Sequence, residues 1–433
     1  MQKDKDAVSL SLVDTQTSAV AHVRALAEAA RNALPVLAKM STEQKNAGLM
    51  AAAKAIRDQA PAIMAANEKD MEAGRQDGLS SALLDRLALS AERLEGIAGA
   101  VEAVAALPDP VGDELARWDR PNGLDIARVR VPIGLIGVIY ESRPNVTVDA
   151  AALCFKAGNG VILRGGKESF HSGTALHAAF TQGLEEAGLP ADVVQLVGTR
   201  DRAAVTEMLT AAELFDLVVP RGGKSLVEKV QTESRVPVLA HLEGICHVYI
   251  DKAADLEMAA DVAFNAKMRR PGICGAMETL LIDQSIVADF KGLFQRLSDA
   301  GCELRGDSVV QRHWPDAKTA TDQDWATEYL DAILSVRAVD GVDGALEHIA
   351  RYSSGHTDSI VTNNAGTAEQ FLNGVDSAIV MHNASTQFAD GGEFGMGAEI
   401  GISTGRLHAR GPVGVEQLTT YKYQVRGSGQ TRP

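Results

Sequence analysis

The chain has 433 residues, of which 45% are hydrophobic and 23% are charged, and this length suggests about two to four domains with ordinary cores. Such a composition excludes a disordered chain, a collagen-like fibre and a small disulfide scaffold. The 42 Lys and Arg residues against 57 Asp and Glu residues give a net charge of −15, which argues against a protein that binds nucleic acid or an anionic membrane through a basic face.

No segment of the sequence predicts a membrane span or a secretion signal. The longest apolar run, 131–140, is about half as long as a membrane-spanning helix and is interrupted by Pro132 and by glycines. Residues 1–6 are mostly charged and lack the apolar stretch of a signal peptide. We therefore expect a soluble, cytoplasmic protein.

The first 110 residues predict a series of helices. Ala, Leu, Glu, Lys and Arg dominate this segment, and apolar residues recur at helical spacing at Leu49, Ala53 and Ile56. Ser41 followed by Gln44 fits a capping box, which indicates the start of the helix that carries these residues.

A β-hairpin is predicted after the helices. Asn122-Gly123 stands between Arg117-Trp118 and the alternating apolar and polar residues of 126–131. An Asn-Gly pair between two such segments is a strong hairpin signal. The polar outer side favours an exposed arm or a sheet edge over a core strand.

From residue 133 onward, short apolar segments alternate with helical ones, which is typical of a parallel α/β sheet covered by helices on both faces. The predicted strands of the first block are 133–140, 161–164, 193–196, 217–219, 238–240 and 248–250. Those of a second block are 277–282, 332–336 and 377–380. The sequence therefore predicts two α/β lobes.

Asn145 opens the helix that follows the first strand of this region. One interpretation is a helix N-cap, a position that Asn fills well. The other is an amide donor at the carboxyl end of the strand, where the crevice of an open α/β sheet lies.

Two glycine pairs follow predicted strands. Gly165-Gly166 precedes Lys167, and Gly222-Gly223 precedes Lys224 and Ser225. A P-loop is excluded because position 218 is Val where that motif requires Gly. Each pair by itself fits a tight turn or a phosphate site, and two of them after strands of one sheet favour a bound dinucleotide.

The spacing of the cysteines fits neither a disulfide framework nor a zinc finger. Cys246 lies close to His241 and His247, but no second cluster completes a metal site, so we expect no bound metal. Cys154 lies on an apolar helical face and is expected in the core, whereas Cys302 follows Gly301 in a predicted surface turn. The chain has four cysteines and no C-x-x-C pair: Cys154, Cys246, Cys274 and Cys302.

Cys274 has the most reactive surroundings of the four. It lies between Gly272 and Gly275 and shortly after Arg269 and Arg270. Glycine allows the backbone and a substrate to approach closely, and nearby arginines favour a thiolate. The residues themselves leave two interpretations open, a nucleophile or a structural thiol.

Several of these segments, taken in order, resemble the aldehyde dehydrogenase superfamily. They are 138–145, 157–164, 242–244 and 271–274. Further stretches resemble the branch of that superfamily that reduces an acyl phosphate of glutamate. They are 141–145, 220–223, 243–247, 390–395 and 407–414. The resemblance extends from about residue 20 to the C-terminus.

The resemblance implies an α/β, aldehyde-dehydrogenase-like fold with a Rossmann-like cofactor domain, an α/β catalytic domain and a β-hairpin oligomerisation arm. The implied NADP-binding domain is 1–114 and 134–256, and the catalytic domain with Cys274 is 257–388. The implied arm is 115–133 and 408–433, and 389–407 returns to the cofactor domain.

The implied reaction is the NADPH-dependent reduction of L-glutamyl 5-phosphate to L-glutamate 5-semialdehyde and phosphate, the second step of proline biosynthesis from glutamate. The resemblance makes Cys274 the nucleophile that forms a thioester and Asn145 the donor to its oxyanion. NADPH would be held by Arg164, Lys167 and the turn Gly222-Gly223.

Three further arginines, Arg143, Arg269 and Arg270, are candidates for holding the phosphate or the α-carboxylate of the substrate. The resemblance also implies a homo-oligomer and a transient contact with glutamate 5-kinase. No nucleic-acid or membrane partner is expected.

One departure from the superfamily concerns Glu243, which stands where its general base is expected. The segment here is shorter and lacks the L-G-G-K continuation, and a reductase of acyl phosphates must exclude water, so we leave Glu243 out of the predicted catalytic residues. Two alternatives stay open. One is a hydrolytic or CoA-acylating aldehyde dehydrogenase of the same fold, and the other is a non-enzymatic scaffold for the preceding kinase.

Overall fold

The computed structural model describes residues 2–432, with side chains throughout except at 2–17 and Ala82. The chain divides into two compact units. Unit 1 comprises Met1–Ala240, Gly395–Gly401 and Val413–Pro433, and unit 2 comprises His241–Phe394 and Ile402–Pro412. Among the described residues, no helix is both long enough and apolar enough to cross a membrane.

Unit 1 begins with the predicted helices. They are α1 (Gln2–Leu37), α2 (Thr42–Asp58), α3 (Ala60–Gln76), α4 (Ser81–Leu87) and α5 (Ala91–Ala106). The capping box is confirmed, because the Ser41 hydroxyl accepts from the Gln44 backbone while the Gln44 side chain accepts from the Ser41 backbone. Leu49, Ala53 and Ile56 of α2 are fully buried in the core of this unit, as their spacing predicts.

The elements of unit 1 that follow these helices include a four-stranded parallel sheet made of β3, β4, β5 and β6. The elements are β1 (Glu114–Asp119), β2 (Asp125–Pro132), β3 (Leu135–Tyr140), α6 (Val146–Lys156), β4 (Gly160–Gly165), α7 (Phe170–Glu186), β5 (Val194–Leu196), α8 (Ala203–Thr210), β6 (Leu217–Arg221) and α9 (Lys224–Glu233). The order in the sheet is β5-β4-β3-β6. From β3 the chain passes to β4 and β5 on one side and then returns to β6 on the other side of β3. The carboxyl end of β3 is therefore a topological switch point.

The predicted strand 238–240 does not form. Only Val238 bridges to Val218 of β6, because Pro237 has no N–H to donate and contributes only its carbonyl oxygen to the Val218 N–H.

Unit 2 contains a seven-stranded parallel sheet and a separate two-stranded antiparallel sheet, β14-β15. Its elements are β7 (Cys246–Ile250), α10 (Leu256–Met268), β8 (Met277–Asp283), α11 (Lys291–Asp299), β9 (Glu303–Gly306), α12 (Ser308–His313), β10 (Lys318–Thr319), β11 (Ile333–Val339), α13 (Gly341–Tyr352), β12 (Thr357–Val361), α14 (Ala365–Gly374), β13 (Ile379–His382), β14 (Ile402–Ser403) and β15 (Gly411–Pro412). Short 3₁₀ turns occur in both units at Lys167–Ser169, Ala191–Val193, Val287–Phe290, Asp324–Ala326 and Thr386–Phe388. The order of the strands in the seven-stranded sheet of unit 2 is β10-β9-β11-β8-β7-β12-β13.

The boundary between the two units differs from the one expected from sequence. The expected cofactor domain extends to residue 256, but β7 pairs with β8 and β12 in the sheet of unit 2, so the division falls at Ala240. Residues 408–412, expected in the arm, also belong to unit 2, because Gly411–Pro412 pairs with Ile402–Ser403.

The predicted hairpin is confirmed. β1 and β2 pair antiparallel around a turn in which Gly123 has a positive φ of 84°, a conformation that glycine adopts without strain. The last strand, β16 (Thr419–Arg426), pairs antiparallel with the other edge of β2. These three strands form the arm. One side of the arm exposes aromatic rings, with Trp118 edge-on to Tyr423 at a centroid distance of 6.1 Å.

Candidate active site

Cys274 lies in the loop that joins α10 to β8, and its side chain is half-buried. A second segment presses against this loop at Gly244, where a Cβ atom would lie only 2.8 Å from the Cα of Cys274. Gly275 is also closely packed, since a Cβ there would lie 3.1 Å from the carbonyl oxygen of Thr386. The glycines around Cys274 therefore allow the close approach that the sequence predicts, and they fix the path of the loop.

Two histidines of the same unit face the Cys274 thiol. One ring nitrogen of His241, one of His356 and Sγ of Cys274 all lie within 4.8 Å of one another. The two imidazole rings are edge-on, with centroids 5.0 Å apart. The arrangement is a cysteine–histidine pair with a second histidine beside it.

The tautomer of His241 is fixed by its other nitrogen. Nδ1 lies 2.8 Å from the carbonyl oxygen of Ile402. A carbonyl oxygen can only accept, so Nδ1 carries the proton, and in the neutral ring Nε2 carries the lone pair. His241 can therefore take the thiol proton of Cys274 at Nε2.

The two histidines make Cys274 more acidic. Burial by itself raises the pKa of a thiol, but here the two neighbouring imidazoles, first His356 and then His241, outweigh it. The pKa of Cys274 is held well below its ordinary value of 9.0, and since the thiolate is the nucleophilic form, Cys274 has the electrostatics of a reactive cysteine.

The neighbouring Cys246 has a different state. Its Sγ donates to the carbonyl oxygen of Cys274 at 3.1 Å and lies 3.6 Å from Nδ1 of His356. Burial raises the pKa of Cys246 well above its ordinary value. Cys246 is therefore a neutral thiol that holds the backbone of the Cys274 loop.

The other two cysteines are core residues. Cys154 is fully buried in unit 1, as expected, and burial raises its pKa. Cys302 is also buried, in the core of unit 2, with its pKa raised to about 11. Its prediction as a surface residue is wrong, because the turn at Gly301 directs the following side chain inward at the start of β9.

A carboxyl group that sequence reasoning missed lies beside the Cys274 loop. Oε1 of Glu328 accepts the backbone N–H of Gly244 at 2.9 Å. Burial raises the pKa of Glu328, the Gly244 N–H opposes this rise, and the charge of Cys274 adds to it. Glu243, the residue expected at the position of a general base, is half-buried in the same segment.

The three groups of the site enter three neighbouring strands. His241 precedes β7, Cys274 precedes β8 and His356 stands directly before β12. Since these strands are adjacent and parallel in the order β8-β7-β12, their amino ends meet at one edge of the sheet. That edge is opposite to the carboxyl edge, where ligands usually bind in open α/β sheets.

His356 is the site residue that the sequence did not indicate at all. It is fully buried and precedes β12, a strand with the sequence Thr-Asp-Ser-Ile-Val whose buried Asp358 and Ser359 break the apolar pattern. His247, considered with Cys246 as a ligand pair, bonds instead to Asp358 at 2.8 Å. The signal for His241 was its closeness to Cys246, but its partners in space are Cys274 and His356.

Arg269 and Arg270 stand at the entrance to the Cys274 loop. Nη1 of Arg269 lies 3.4 Å from Oε1 of Gln387, and the Arg270 carbonyl oxygen accepts from Nε2 of Gln387. Arg270 is exposed. Gln387 therefore ties this pair of arginines to the short turn at Thr386–Phe388.

Asn145 lies in unit 1, and its side chain does not cap α6. Its Nδ2 instead donates to Oδ2 of Asp149 at 2.8 Å. Burial raises the pKa of Asp149 to about 6, opposed by the Asn145 amide and the charge of Arg221. Because an amide nitrogen carries two N–H groups, the contact with Asp149 orients Asn145 and leaves its second N–H for another acceptor.

The glycine turns of unit 1 share the carboxyl edge of its sheet, since β4 and β6 flank β3. At the second turn, the N–H of Gly223 at the start of α9 donates to Oε2 of Glu141 at 3.0 Å. Gly222 packs against the same carboxylate. Arg143 follows β3 at this edge and is half-buried.

The two basic candidates of this edge follow β4. Arg164 donates to the carbonyl oxygens of Gly165 and Arg200, and its buried Nε has no partner. Lys167 is exposed and pairs with Asp77 at 2.8 Å. An unsatisfied buried donor and an exposed ammonium group on one turn fit a phosphate-bearing ligand.

Comparison with known proteins finds one family. Residues 7–301 match the model of the aldehyde dehydrogenase family. The chain is 64% identical over 415 residues to the gamma-glutamyl phosphate reductase of Sphingopyxis alaskensis, covering 96% of each protein. It is 57% identical over 425 residues to that of Brucella anthropi, covering 98% of this chain and 100% of the relative.

A solved structure gives the same result. The crystal structure of gamma-glutamyl phosphate reductase from Thermotoga maritima is 44% identical, with a TM-score of 0.93, and the match covers 95% of this chain and 100% of that one. The predicted α/β fold of the aldehyde dehydrogenase type is thereby confirmed.

Proposed function

The chain belongs to the aldehyde dehydrogenase family, and from this premise we infer that its reaction is the one for which its relatives are named, the reduction of γ-glutamyl phosphate. This is the glutamyl 5-phosphate reduction step of proline biosynthesis. The products are L-glutamate 5-semialdehyde and inorganic phosphate. The observation that best supports Cys274 as the site of this reaction is the position of its thiol beside His241 and His356.

The first half of the reaction forms a thioester on Cys274. His241 accepts the thiol proton at Nε2, and the thiolate attacks the γ-carbonyl carbon of the substrate. The new S–C bond forms, and the oxyanion collapses as the C–O bond to phosphate breaks. Phosphate leaves with the electron pair as a stable anion and needs little help from an acid.

The second half reduces the thioester. Enzymes of this family use nicotinamide cofactors, and the bound nicotinamide supplies the hydride. The resulting thiohemiacetal oxyanion collapses by breaking its C–S bond, which releases the aldehyde and returns Cys274 to the thiolate. The role of the protein is to hold Cys274, to stabilise two successive oxyanions and to keep water away from the thioester.

The oxyanion donors are Nδ2 of Asn145 and the backbone N–H of Cys274. In this assignment Asp149 is a positioning residue, because it occupies one N–H of Asn145 and aims the other. Loss of one oxyanion donor typically reduces the rate by about 10²–10³-fold.

We predict a graded series of effects at this pair. Asn145→Ala should lower kcat by about 10²–10³-fold, and Asp149→Ala should lower it less, because the amide remains but loses its orientation. Asp149→Asn should restore most of the loss, since an amide oxygen also accepts from Asn145. Steady-state kcat of the three variants tests this. Equal activity of Asp149→Ala and the unchanged protein would show that Asp149 does not position Asn145.

NADPH is the proposed form of the cofactor. The supporting observation is the basic turn after β4, where Arg164 has an unpartnered buried Nε and Lys167 reaches solvent. In this proposal these two residues hold the adenosine 2′-phosphate, and the turn Gly222-Gly223 lies under the pyrophosphate.

Removing both charges with Arg164→Gln and Lys167→Gln should raise the KM for NADPH but not that for NADH. A charge-assisted hydrogen bond contributes about 1.5–3 kcal/mol, or about one to two decades in KM. Lys54→Gln, which removes an exposed lysine paired with Asp58, is the matched control and should leave both KM values unchanged. An equal rise for both cofactors would contradict the proposal.

The three arginines complete the proposed substrate site. Arg269 and Arg270 lie shortly before Cys274 in the chain, and Arg143 follows β3. We assign them to the phosphate and the α-carboxylate of the substrate, because a guanidinium group binds both anions through paired N–H groups.

The arm is the proposed subunit interface, with its exposed Trp118, Tyr421 and Tyr423 as the apolar contact surface. The proposed setting is a cytoplasmic homo-oligomer that contacts glutamate 5-kinase transiently.

The test of the proposed reaction is the reverse direction. NADP⁺ reduction by glutamate 5-semialdehyde, measured with and without inorganic phosphate, should show steady turnover only with phosphate. Steady turnover with CoA and none with phosphate would assign the chain to the CoA-acylating enzymes of the same fold.

A further inference from the structure

The side chains of His241, Cys274 and His356 converge at one point, and the reduction of an acyl phosphate does not require all three of them. A thiolate nucleophile needs one base, yet two imidazoles converge on Cys274, and the donor atoms of the three residues lie within 4.8 Å of one another. They come from the segments that enter β7, β8 and β12, so the sheet itself holds them together.

The donor types select a class of cation. One thiolate and two imidazole nitrogens suit Zn²⁺ and similar borderline-soft ions, whereas Mg²⁺ and Ca²⁺ require oxygen ligands. Three protein ligands with a fourth, open position are common in zinc sites that are not purely structural. In such a tetrahedral site the ligand atoms lie about 3.3–3.6 Å apart. Since the three donor atoms lie within 4.8 Å of one another, the widest pair needs to close by at most about 1.5 Å.

The surroundings of His241 are those of a metal ligand. A ligating histidine usually donates its other N–H to a carbonyl or carboxylate oxygen, which fixes the tautomer that leaves a lone pair for the metal. Nδ1 of His241 donates to the carbonyl oxygen of Ile402 at 2.8 Å, and Nε2 is therefore the ligating nitrogen.

His356 provides an independent observation. It is fully buried, and its Nε2 has no hydrogen-bond partner. Its Nδ1 lies 2.9 Å from Oγ1 of Thr357, and when Nδ1 donates to that hydroxyl, Nε2 carries a lone pair. A buried polar atom without a partner is costly unless a ligand satisfies it.

We propose that His241, Cys274 and His356 form an inhibitory binding site for Zn²⁺. The ion displaces the thiol proton of Cys274 to solvent, bonds to Sγ and the two imidazoles without change of oxidation state, and keeps a water in its fourth position. Since Cys274 and His241 are only half-buried, the ion reaches them from solvent. The inhibitory part of this proposal rests on the proposed role of Cys274, but the binding part does not.

The test uses Co²⁺ as a spectroscopic probe of the full-length protein in a non-chelating reductant. We expect one Co²⁺ per chain, with a thiolate-to-cobalt charge-transfer band in the near ultraviolet and the strong visible bands of a tetrahedral site. Zn²⁺ should abolish both sets of bands by displacement. Zn²⁺ should also inhibit turnover, and a chelator should restore it.

Variants assign the ligands. Cys274→Ala should remove the charge-transfer band, and His241→Ala and His356→Ala should each weaken Co²⁺ binding by at least about tenfold. His241 is half-buried, so its variant remains informative if the buried His356→Ala fails to fold. His382→Ala and Cys302→Ala, which change residues of the same unit outside the site, are the controls and should keep the bands.

The outcomes separate this proposal from the proposed function. An enzyme that turns over with phosphate but shows no charge-transfer band, or shows an unchanged band in Cys274→Ala, overturns the metal site alone. A chain that binds Co²⁺ through Cys274 but does not turn over overturns the proposed reaction alone.

Discussion

Replacing Cys274 with Ala is expected to lower kcat by about 10⁴-fold or more, because the variant can form no thioester. Removal of a catalytic nucleophile has effects of this order or larger in other enzymes with covalent intermediates. The fold should remain, since the half-buried side chain is replaced by a smaller one that fits the same loop. Cofactor binding should also remain, because the proposed cofactor residues all lie in unit 1.

The measurement is steady-state turnover together with cofactor titration by fluorescence. The matched control is Cys302→Ala, which removes a buried thiol from the core of the same unit. That variant should lose stability through the cavity it leaves and keep its kcat. A Cys274→Ala enzyme with more than a few per cent of the original rate would require the covalent mechanism to be abandoned.

His241 and His356 explain why the expected effect is specific to Cys274. Cys246 lies 3.6 Å from Nδ1 of the same His356, yet burial raises its pKa, whereas the two histidines lower that of Cys274. Alkylation at neutral pH should therefore label Cys274 before Cys246. Both thiols lie near His356, but their pKa values are shifted in opposite directions.

The Cys274 loop was predictable from sequence because glycine spacing is a local signal. Gly272 and Gly275 indicate a loop that other groups approach closely, and the packing at Gly275 confirms it. The capping box at Ser41 and the hairpin at Asn122 were predictable for the same reason, since each depends on residues only a few positions apart.

His356 was not predictable because it precedes a strand whose apolar pattern is broken by buried polar residues. In β12 the polar Asp358 is buried by bonding to the backbone and ring of His247, a contact between residues far apart in the chain. Sequence reasoning also looked for the site at carboxyl ends of strands, where Asn145 and the glycine turns lie. The Cys274 site uses the amino ends of β7, β8 and β12 instead.

The role of Asn145 shows a limit of another kind. Asn before a helix predicts an N-cap equally well, and only the contact with Asp149 at 2.8 Å shows that the side chain is used otherwise. No pattern in the sequence distinguishes an amide that caps its own helix from one that reaches a residue one turn later.

Water exclusion separates the proposed reaction from hydrolysis of the same thioester. A hydrolytic enzyme needs a carboxylate that activates water beside the thioester. Two carboxyl groups of unit 2 are candidates, Glu243 and Glu328. Oε1 of Glu328 accepts the N–H of Gly244, a contact that gives this carboxylate a structural role at the Cys274 loop, and burial raises its pKa. Glu243 directly precedes Gly244, the residue whose backbone packs against the Cys274 loop.

Oxidation of glutamate 5-semialdehyde by NADP⁺ should therefore stop after about one turnover per active site when phosphate is absent. The γ-glutamyl thioester on Cys274 then waits for phosphate, and a burst of NADPH equal to the enzyme concentration should be seen in stopped flow. Phosphate or arsenate should restore steady turnover. Glu243→Gln and Glu328→Gln should each change that rate by well under the 10²–10⁴-fold expected of a general base. Sustained NADPH production without phosphate, lost in either variant, would instead identify that carboxylate as the water-activating base of a hydrolytic enzyme.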